Sequence, residues 1–171
     1  IVGIHDYHKE GAGILKYAGT LSGNPESDAD AIDILNQIGT SVQGQSFDFG
    51  LQTGDFVDNG ANYNQWSEIL DLFDQNFGGT DFITVLGNHE YYGDTSGGNA
   101  RNILALPAEG YYSVEYGDVY LAVINNGANL SEAADWLVSD AARSDCQWKL
   151  LSVHQPAYYT NPNGGSDRCN A

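Results

Sequence analysis

Positive charge is scarce in this sequence. Its 171 residues include six Lys and Arg against 23 Asp and Glu, which gives a formal net charge of −17. Nucleic-acid backbones are bound by clustered Lys and Arg, so six scattered basic residues exclude a basic nucleic-acid-binding surface. No apolar run approaches the roughly 20 residues that a membrane-spanning helix needs, so we expect no membrane span.

Methionine is absent, and cysteine occurs only twice. Because the chain begins at Ile1, we expect an N-terminus that is processed, excised from a longer chain or preceded by further sequence, with any leader already removed. The many Gly and Tyr and the few basic residues favour an exported protein, and we predict a secreted, extracellular or periplasmic location. Cys146 and Cys169 either form one disulfide in such an oxidising compartment or remain two thiols.

The chain has enough apolar residues for a folded core. Hydrophobic residues make up 42% of it and aromatic residues 12%, which argues against disorder despite the acidity. At about 100–200 residues per domain, we predict one domain over residues 1–171. The sequence pattern does not indicate the oligomeric state.

Hydrophobic periodicity predicts an alternation of strands and helices. Helices are predicted to begin at Ser27 or Asp28, at about Tyr63 and at Ser131, whereas residues 9–27 and 91–106 are predicted to be loops. Strands are predicted over residues 1–4, 47–52, 82–86, 111–116, 119–124 and 148–153. This order of elements predicts an α/β layered domain with a largely parallel central sheet.

Potential metal ligands follow four predicted buried strands, at the point where each strand ends. In open α/β sheets, ligands bind beyond the carboxyl ends of the strands, so these side chains are expected to meet at one edge. In chain order they are Asp6 and His8, then Asp55, then Asn88 and His89, and finally His154. Four separate segments that deliver oxygen and imidazole ligands to one edge indicate a metal centre.

This mixture of ligands has a definite chemistry. Carboxylate, imidazole and amide oxygen suit Mn, Fe or Zn, and two such ions about 3.5–4 Å apart can clamp a phosphoryl group for in-line attack. Asp55 is the natural bridge because it lies between the two ligand sets. Asp58 is expected to orient His89 through a hydrogen bond, and Gly54 and Gly87 are expected to allow sharp turns at the strand ends.

These motifs resemble those of the calcineurin-like metallophosphoesterases over residues 1 to about 160. The resemblance rests on Asp6-Tyr7-His8, on Gly54-Asp55-Phe56-Val57-Asp58-Asn59-Gly60, on Gly87-Asn88-His89-Glu90 and on His154. It implies a four-layer αββα sandwich that hydrolyses small phosphomonoesters or phosphodiesters with a metal-bound hydroxide at a centre of two divalent or trivalent metal ions.

The resemblance also implies a role for each matching residue. Asp6 and His8 would bind the first metal, Asp55 would bridge the two metals, and Asn88 and His154 would bind the second. His89 would be the catalytic histidine near the leaving group, with Asp58 as its partner.

The sequence also departs from the family pattern. Family members close the site with a late Gly-His-x-His element, but this chain has no His after His154. We therefore expect either an incomplete site or further family sequence outside this chain. Asn59 stands where the protein Ser/Thr phosphatases carry Arg, and Asp58 stands where purple acid phosphatases carry a metal-bound Tyr. The alternative function is a catalytically impaired descendant that serves as an extracellular structural or binding module.

Overall fold

Two three-stranded sheets organise the part of the chain that the computed structural model describes, residues 3–4, 25–45 and 47–155. The first sheet is parallel, in the order β1 (Gly3–Ile4), β2 (Gly50–Gln52) and β3 (Phe82–Thr84). The second sheet has the order β4-β5-β6, in which an antiparallel hairpin is followed by a parallel pair. Its strands are β4 (Tyr111–Tyr116), β5 (Val119–Ile124) and β6 (Trp148–Val153).

Within the described residues, four helices and one 3₁₀ turn connect the strands. The helices are α1 (Pro25–Val42), α2 (Tyr63–Phe77), α3 (Gly98–Ile103) and α4 (Leu130–Ala141), and the 3₁₀ turn covers His89–Tyr91. Asparagine caps two of these helices. The Asn62 side chain accepts hydrogen bonds from the amides of Asn64 and Gln65 at the start of α2, and Asn129 does the same for α4.

The main core lies between α1, α2 and the first sheet. The inner face of α2 contributes Trp66, Ile69, Phe73 and Phe77 to it. Phe73 is central, with ring centroids 5.3 Å from Phe56, 5.5 Å from Phe77 and 5.1 Å from Phe82. Because Phe56 directly follows Asp55, this aromatic cluster anchors the segment that leaves β2.

Hydrogen bonds join the two sheets next to β3. The Tyr112 hydroxyl donates to the carbonyl of Thr84 (2.6 Å) and accepts from the Thr84 amide (3.1 Å). The buried Asn125, just after β5, accepts from the amide of Leu86 through its side-chain oxygen (2.8 Å). These bonds hold the end of β5 beside the segment that leaves β3.

Several sequence predictions are confirmed, and others are corrected. The hairpin and β6 have the predicted bounds, and three of the four strand pairings among the described residues are parallel. The described strands form two sheets. The order of elements alone predicted one central sheet, whereas the resemblance implied two β layers. The strands predicted over 47–52 and 82–86 are only three residues long, because pairing between β2 and β3 covers Gly50–Gln52 and Phe82–Thr84 alone.

Three further predictions are wrong. The predicted loop 91–106 contains α3, whose first turn is held by the Asp94 carboxylate accepting from the amide of Asn99 (2.7 Å). The predicted buried strand β6 is largely exposed, and only Ser152 of its residues is buried. Helix α1 begins at Pro25, two residues before the predicted cap, since proline suits the first helical position.

Some predictions fall elsewhere in the chain. Residues 9–24 of the predicted loop 9–27, residues 1–2 of the predicted strand 1–4, and Cys169 with its disulfide lie outside the described residues. Nothing tests the single-domain organisation over 1–171, which stays a prediction. In the described ranges, no helix combines the length and the apolar character needed to span a membrane.

Candidate metal centre

Segments that follow three different strands converge on the Asp55 carboxylate. His154 Nε2, just after β6, lies 3.3 Å from Asp55 Oδ2, and His89 Nε2, after β3, lies 3.8 Å from the same oxygen. The His89 backbone amide donates to the other oxygen, Oδ1, at 3.1 Å. Asp55 is only 1% exposed. The structure thus brings together three residues that the sequence places far apart.

The backbone at Asp55 has an unusual conformation. Asp55 has φ +56° and Gly54 has φ +108°, so two successive residues lie in the left-handed region that side chains disfavour. The buried Gln52 side chain holds this turn, because it accepts from the Gly54 amide (2.7 Å) and donates to the Gly54 carbonyl (2.8 Å). The sharp turn predicted at Gly54 is therefore present.

Gly87 is needed for a different reason from the one predicted. Its φ is not in the left-handed region, but a Cβ there would overlap the Asp55 Oδ1 atom. A Cβ at Gly54 would similarly overlap His154 Nδ1 and come within 2.8 Å of the Gly87 amide nitrogen. Both glycines allow the segments that carry the candidate ligands to approach closely.

The ring orientation of His154 suits a metal ligand. Its Nδ1 lies 2.8 Å from the carbonyl oxygen of Thr53, so the Nδ1–H can donate there while Nε2 faces Asp55. Metal-binding histidines commonly donate their second ring N–H to a carbonyl or carboxylate in this way. A single histidine after a strand is weak evidence for a ligand in the sequence alone, and the contact with Thr53 is visible only in the structure.

The Asp55 carboxyl is held in its anionic form. Burial by itself raises the pKa of this carboxyl, but the hydrogen bond and charge of His154, with the charge of His89, outweigh it and bring the pKa below its ordinary value. An anionic, buried carboxylate between two imidazoles is a suitable metal ligand.

His89 lies against Asp58, the partner that the sequence predicts for it. Its Nδ1 lies 3.1 Å from the Asp58 backbone carbonyl and 3.3 Å from the Asp58 carboxylate oxygen Oδ1. Both contacts favour a proton on Nδ1, which leaves Nε2 directed toward Asp55. The ring is buried and packs on Tyr92, with centroids 4.5 Å apart.

Asn88 presents an amide group beside this histidine. Its side-chain nitrogen donates to the Tyr92 hydroxyl (2.9 Å), so the side-chain oxygen is the atom that could bind a metal ion. Tyr92 thus contacts both Asn88 and His89, and it lies at the end of the turn, four residues after Asn88.

A second buried carboxylate was also missed. Glu90 is fully buried and accepts backbone hydrogen bonds from the segments after β2 and after β3. Burial and the nearby charge of Asp55 raise its pKa to about 7, while the backbone amides act in the opposite direction. The sequence motif contains Glu90, but its function depends on contacts with residues more than thirty positions away.

The side chains at this site carry the types of donor atom that bind metal ions. Asp55 offers an anionic carboxylate, His154 an imidazole anchored through its other nitrogen, and Asn88 an amide oxygen. Asp6 and His8 lie outside the described residues, so their part in the site stays a prediction. Within the described ranges, no group of three or more His, Cys, Asp and Glu side chains has an arrangement that could hold a metal ion.

Comparison with known proteins gives the family. The sequence model of the calcineurin-like phosphoesterases matches residues 4–171, and the chain therefore belongs to this family. The fold is similar to that of a purple acid phosphatase from yellow lupin (Lupinus luteus) seeds, with a TM-score of 0.69 and 17% sequence identity. That match covers 93% of this chain but 30% of the phosphatase chain, and it supports an α/β metallophosphoesterase-like fold. No curated protein matches the chain.

Proposed function

We propose that this chain carries a two-metal phosphoesterase centre that hydrolyses small phosphomonoesters or phosphodiesters. The observation that carries the proposal is the convergence of His89 and His154 on the Asp55 carboxylate, at 3.8 and 3.3 Å. Family membership supports the same class of reaction.

The proposed ligands are those that the strand ends deliver. Asp6 and His8 would hold the first ion, Asp55 would be shared, and Asn88 and His154 would hold the second. When bound, Mn, Fe or Zn ions would activate water and neutralise charge on the phosphoryl group. The buried position and lowered pKa of Asp55 support its assignment as the shared ligand.

His89 would donate a proton to the leaving-group oxygen from Nε2. Its Nδ1–H is held by the carbonyl and carboxylate of Asp58, so the ring cannot turn freely and the proton on Nε2 is directed into the site. General acid catalysis of this kind typically contributes about 10²–10⁴-fold in rate.

We also propose that the fold is a four-layer αββα arrangement. It is supported by α1 and α2 packing beside the first sheet, by α4 contacting β5, and by the hydrogen bonds that join the two sheets. A secreted location is proposed from composition alone.

The test is metal analysis combined with turnover. The purified chain would be loaded with Mn, Zn or Fe and assayed with an aryl phosphate and a bis-aryl phosphate, alongside Asp55→Asn and the exposed control Asp71→Asn. We expect Asp55→Asn to lose more metal affinity than the about 10–100-fold that outer partners of a metal contribute, with Asp71→Asn unchanged.

The possible failures have different meanings. A wild-type protein that binds none of these metals would contradict the proposal. One that binds metal but hydrolyses neither ester would favour the catalytically impaired binding module.

A further inference from the structure

We propose that Glu90 is a positioning residue that holds the segments carrying Asp55 and Asn88 in their metal-binding arrangement. This inference rests on the proposed function, but its first test does not require activity. Glu90 follows Asn88 and His89 directly in the chain, and its own carboxylate turns inward and away from solvent. It would act through the backbone of the ligands and not as a ligand itself.

The Glu90 carboxylate accepts four backbone hydrogen bonds from two segments. Oε2 accepts from the amides of Asp55 (3.0 Å) and Gly87 (2.7 Å). Oε1 accepts from the amides of Phe56 (2.6 Å) and Val57 (3.3 Å). A single side chain therefore links the segment after β2 to the segment after β3, on either side of the predicted metal site.

The conformation of Asp55 explains why three successive amides reach one carboxylate. Successive N–H groups that follow a residue in the left-handed region form a concave anion site. Asp55 has φ +56°, and the amides of residues 55, 56 and 57 converge on Glu90. The protein fills this anion site with its own carboxylate, so these amides are not available to a substrate phosphoryl group.

The same two segments also meet at the backbone. The Gly60 amide donates to the carbonyl of His89 (3.0 Å), and a Cβ on Gly60 would overlap the carbonyl oxygen of Glu90. This close approach leaves little room for the segments to shift separately. Without an acceptor at Glu90, four amides at the centre of this contact would be left unsatisfied, which the segments could relieve only by moving apart.

Glu90→Gln is the sharpest variant. Glutamine has nearly the same size and keeps one acceptor oxygen, but its NH₂ group would face two backbone N–H donors. Glu68→Gln makes the same chemical change at an exposed position on α2, and serves as the matched control.

The first readout is amide hydrogen exchange of the metal-free proteins under native conditions. In Glu90→Gln we expect exchange at least about tenfold faster at residues 55–57 and 87, with unchanged exchange in the middle of α2. Glu68→Gln should match the wild type throughout. Unchanged exchange at residues 55–57 and 87, or an equal acceleration across the whole protein, would overturn the proposal.

The second readout is metal affinity by titration calorimetry, measured well below the unfolding temperature. Partners that orient metal ligands contribute about 10–100-fold to affinity, so Glu90→Gln should weaken binding by that factor. Equal affinity in the folded variant and the wild type would contradict the positioning role. If the wild type itself binds no metal, the proposed function fails, while the exchange experiment still decides whether Glu90 joins the two segments.

Glu90→Asp keeps both oxygens but shortens the side chain, and it serves where Glu90→Gln does not fold. We expect this variant to fold, with faster exchange at the same amides and metal affinity between those of the wild type and a ligand variant. Wild-type exchange and wild-type affinity in Glu90→Asp would refute the proposal.

Discussion

At the scale of single residues, Asp55 combines a strained backbone with a buried charge. Backbone conformations such as its φ of +56° cost on the order of 1–3 kcal/mol and persist where surrounding contacts enforce them. Here the enforcing contacts are the Gln52 bonds to Gly54 and the Glu90 bonds to residues 55–57. The result is a carboxylate directed at two imidazoles, which is the arrangement that the proposed chemistry requires.

The partnership of His89 with Asp58 leads to a prediction at this scale. Asp58→Asn keeps the backbone carbonyl contact to His89 Nδ1 but removes the negative charge beside the ring. An amide holds the Nδ1–H of His89 less firmly than a carboxylate does, so we expect kcat to fall by about 10–100-fold with little change in metal content. Steady-state kinetics and metal analysis measure both quantities.

Asp71→Asn is the control for Asp58→Asn, because Asp71 is exposed on α2. It should leave kcat at the wild-type value. A kcat in Asp58→Asn equal to that of the wild type would show that Asp58 does not assist His89. A loss of bound metal in Asp58→Asn would show that its role is to organise the ligands.

At the scale of elements, Asp140 joins α4 to both strands of the hairpin. Its carboxylate accepts from the Ser113 hydroxyl on β4 (2.6 Å) and the Tyr120 hydroxyl on β5 (3.0 Å), and it pairs with Arg143. The Ser113 hydrogen bond, followed by Arg143, lowers the pKa of Asp140 below its ordinary value of 3.8. The ionised carboxylate therefore stabilises the packing of α4.

Asp140→Asn is expected to lower the free energy of unfolding by about 1 kcal/mol at neutral pH, because it weakens hydrogen bonds to a charged acceptor. A lowered pKa stabilises the folded state above the unfolded value of 3.8, and this stabilisation is lost as pH falls through the folded pKa. The difference between variant and wild type should therefore shrink below pH 3.8. Urea unfolding across this range measures it.

Asp135→Asn on the same helix is the matched control, because Asp135 is exposed. It should change the free energy of unfolding little at any pH. If the difference in the free energy of unfolding between Asp140→Asn and the wild type grows as the pH falls, the prediction is contradicted.

Elements were predictable to different degrees, for physical reasons. The hairpin and β6 had clear bounds because apolar residues and a Gly117-Asp118 turn mark them locally. Helix α3 was missed because its six residues are too few for a helical period, and its start is held by Asp94 from outside the helix. The exposure of β6 depends on what packs against the two faces of its sheet, and the sequence of β6 does not contain that information.

At the scale of the whole molecule, the net charge of −17 acts against an anionic substrate. Salt screens this repulsion over a distance of about 10 Å at 0.1 M ionic strength. We therefore predict that KM for an aryl phosphate monoester falls as ionic strength rises modestly from a low value, with kcat unchanged. Steady-state kinetics in a salt of weakly coordinating anions measure this effect.

A less charged substrate provides the control for this prediction. A phosphodiester carries one negative charge and a monoester about two, so the KM of the diester should respond less to salt. A KM for the monoester that only rises with salt would indicate that local attraction dominates and that the surface charge has no effect on encounter.

The sequence by itself determined the family, the order of strands and helices apart from α3, and the types of side chain at the strand ends. These follow from local periodicity and from motifs such as Gly87-Asn88-His89-Glu90, so they need no knowledge of distant contacts. It also predicted the pairing of His89 with Asp58, since residues after neighbouring parallel strands meet at one edge.

Only the tertiary structure decided how the site is held together. The crowding at Gly87 and the four amides on Glu90 both depend on residues far apart in the chain that come within a few ångströms. A buried carboxylate is stable only where donors surround it, and those donors here are backbone groups, whose positions follow from the fold and not from residue type.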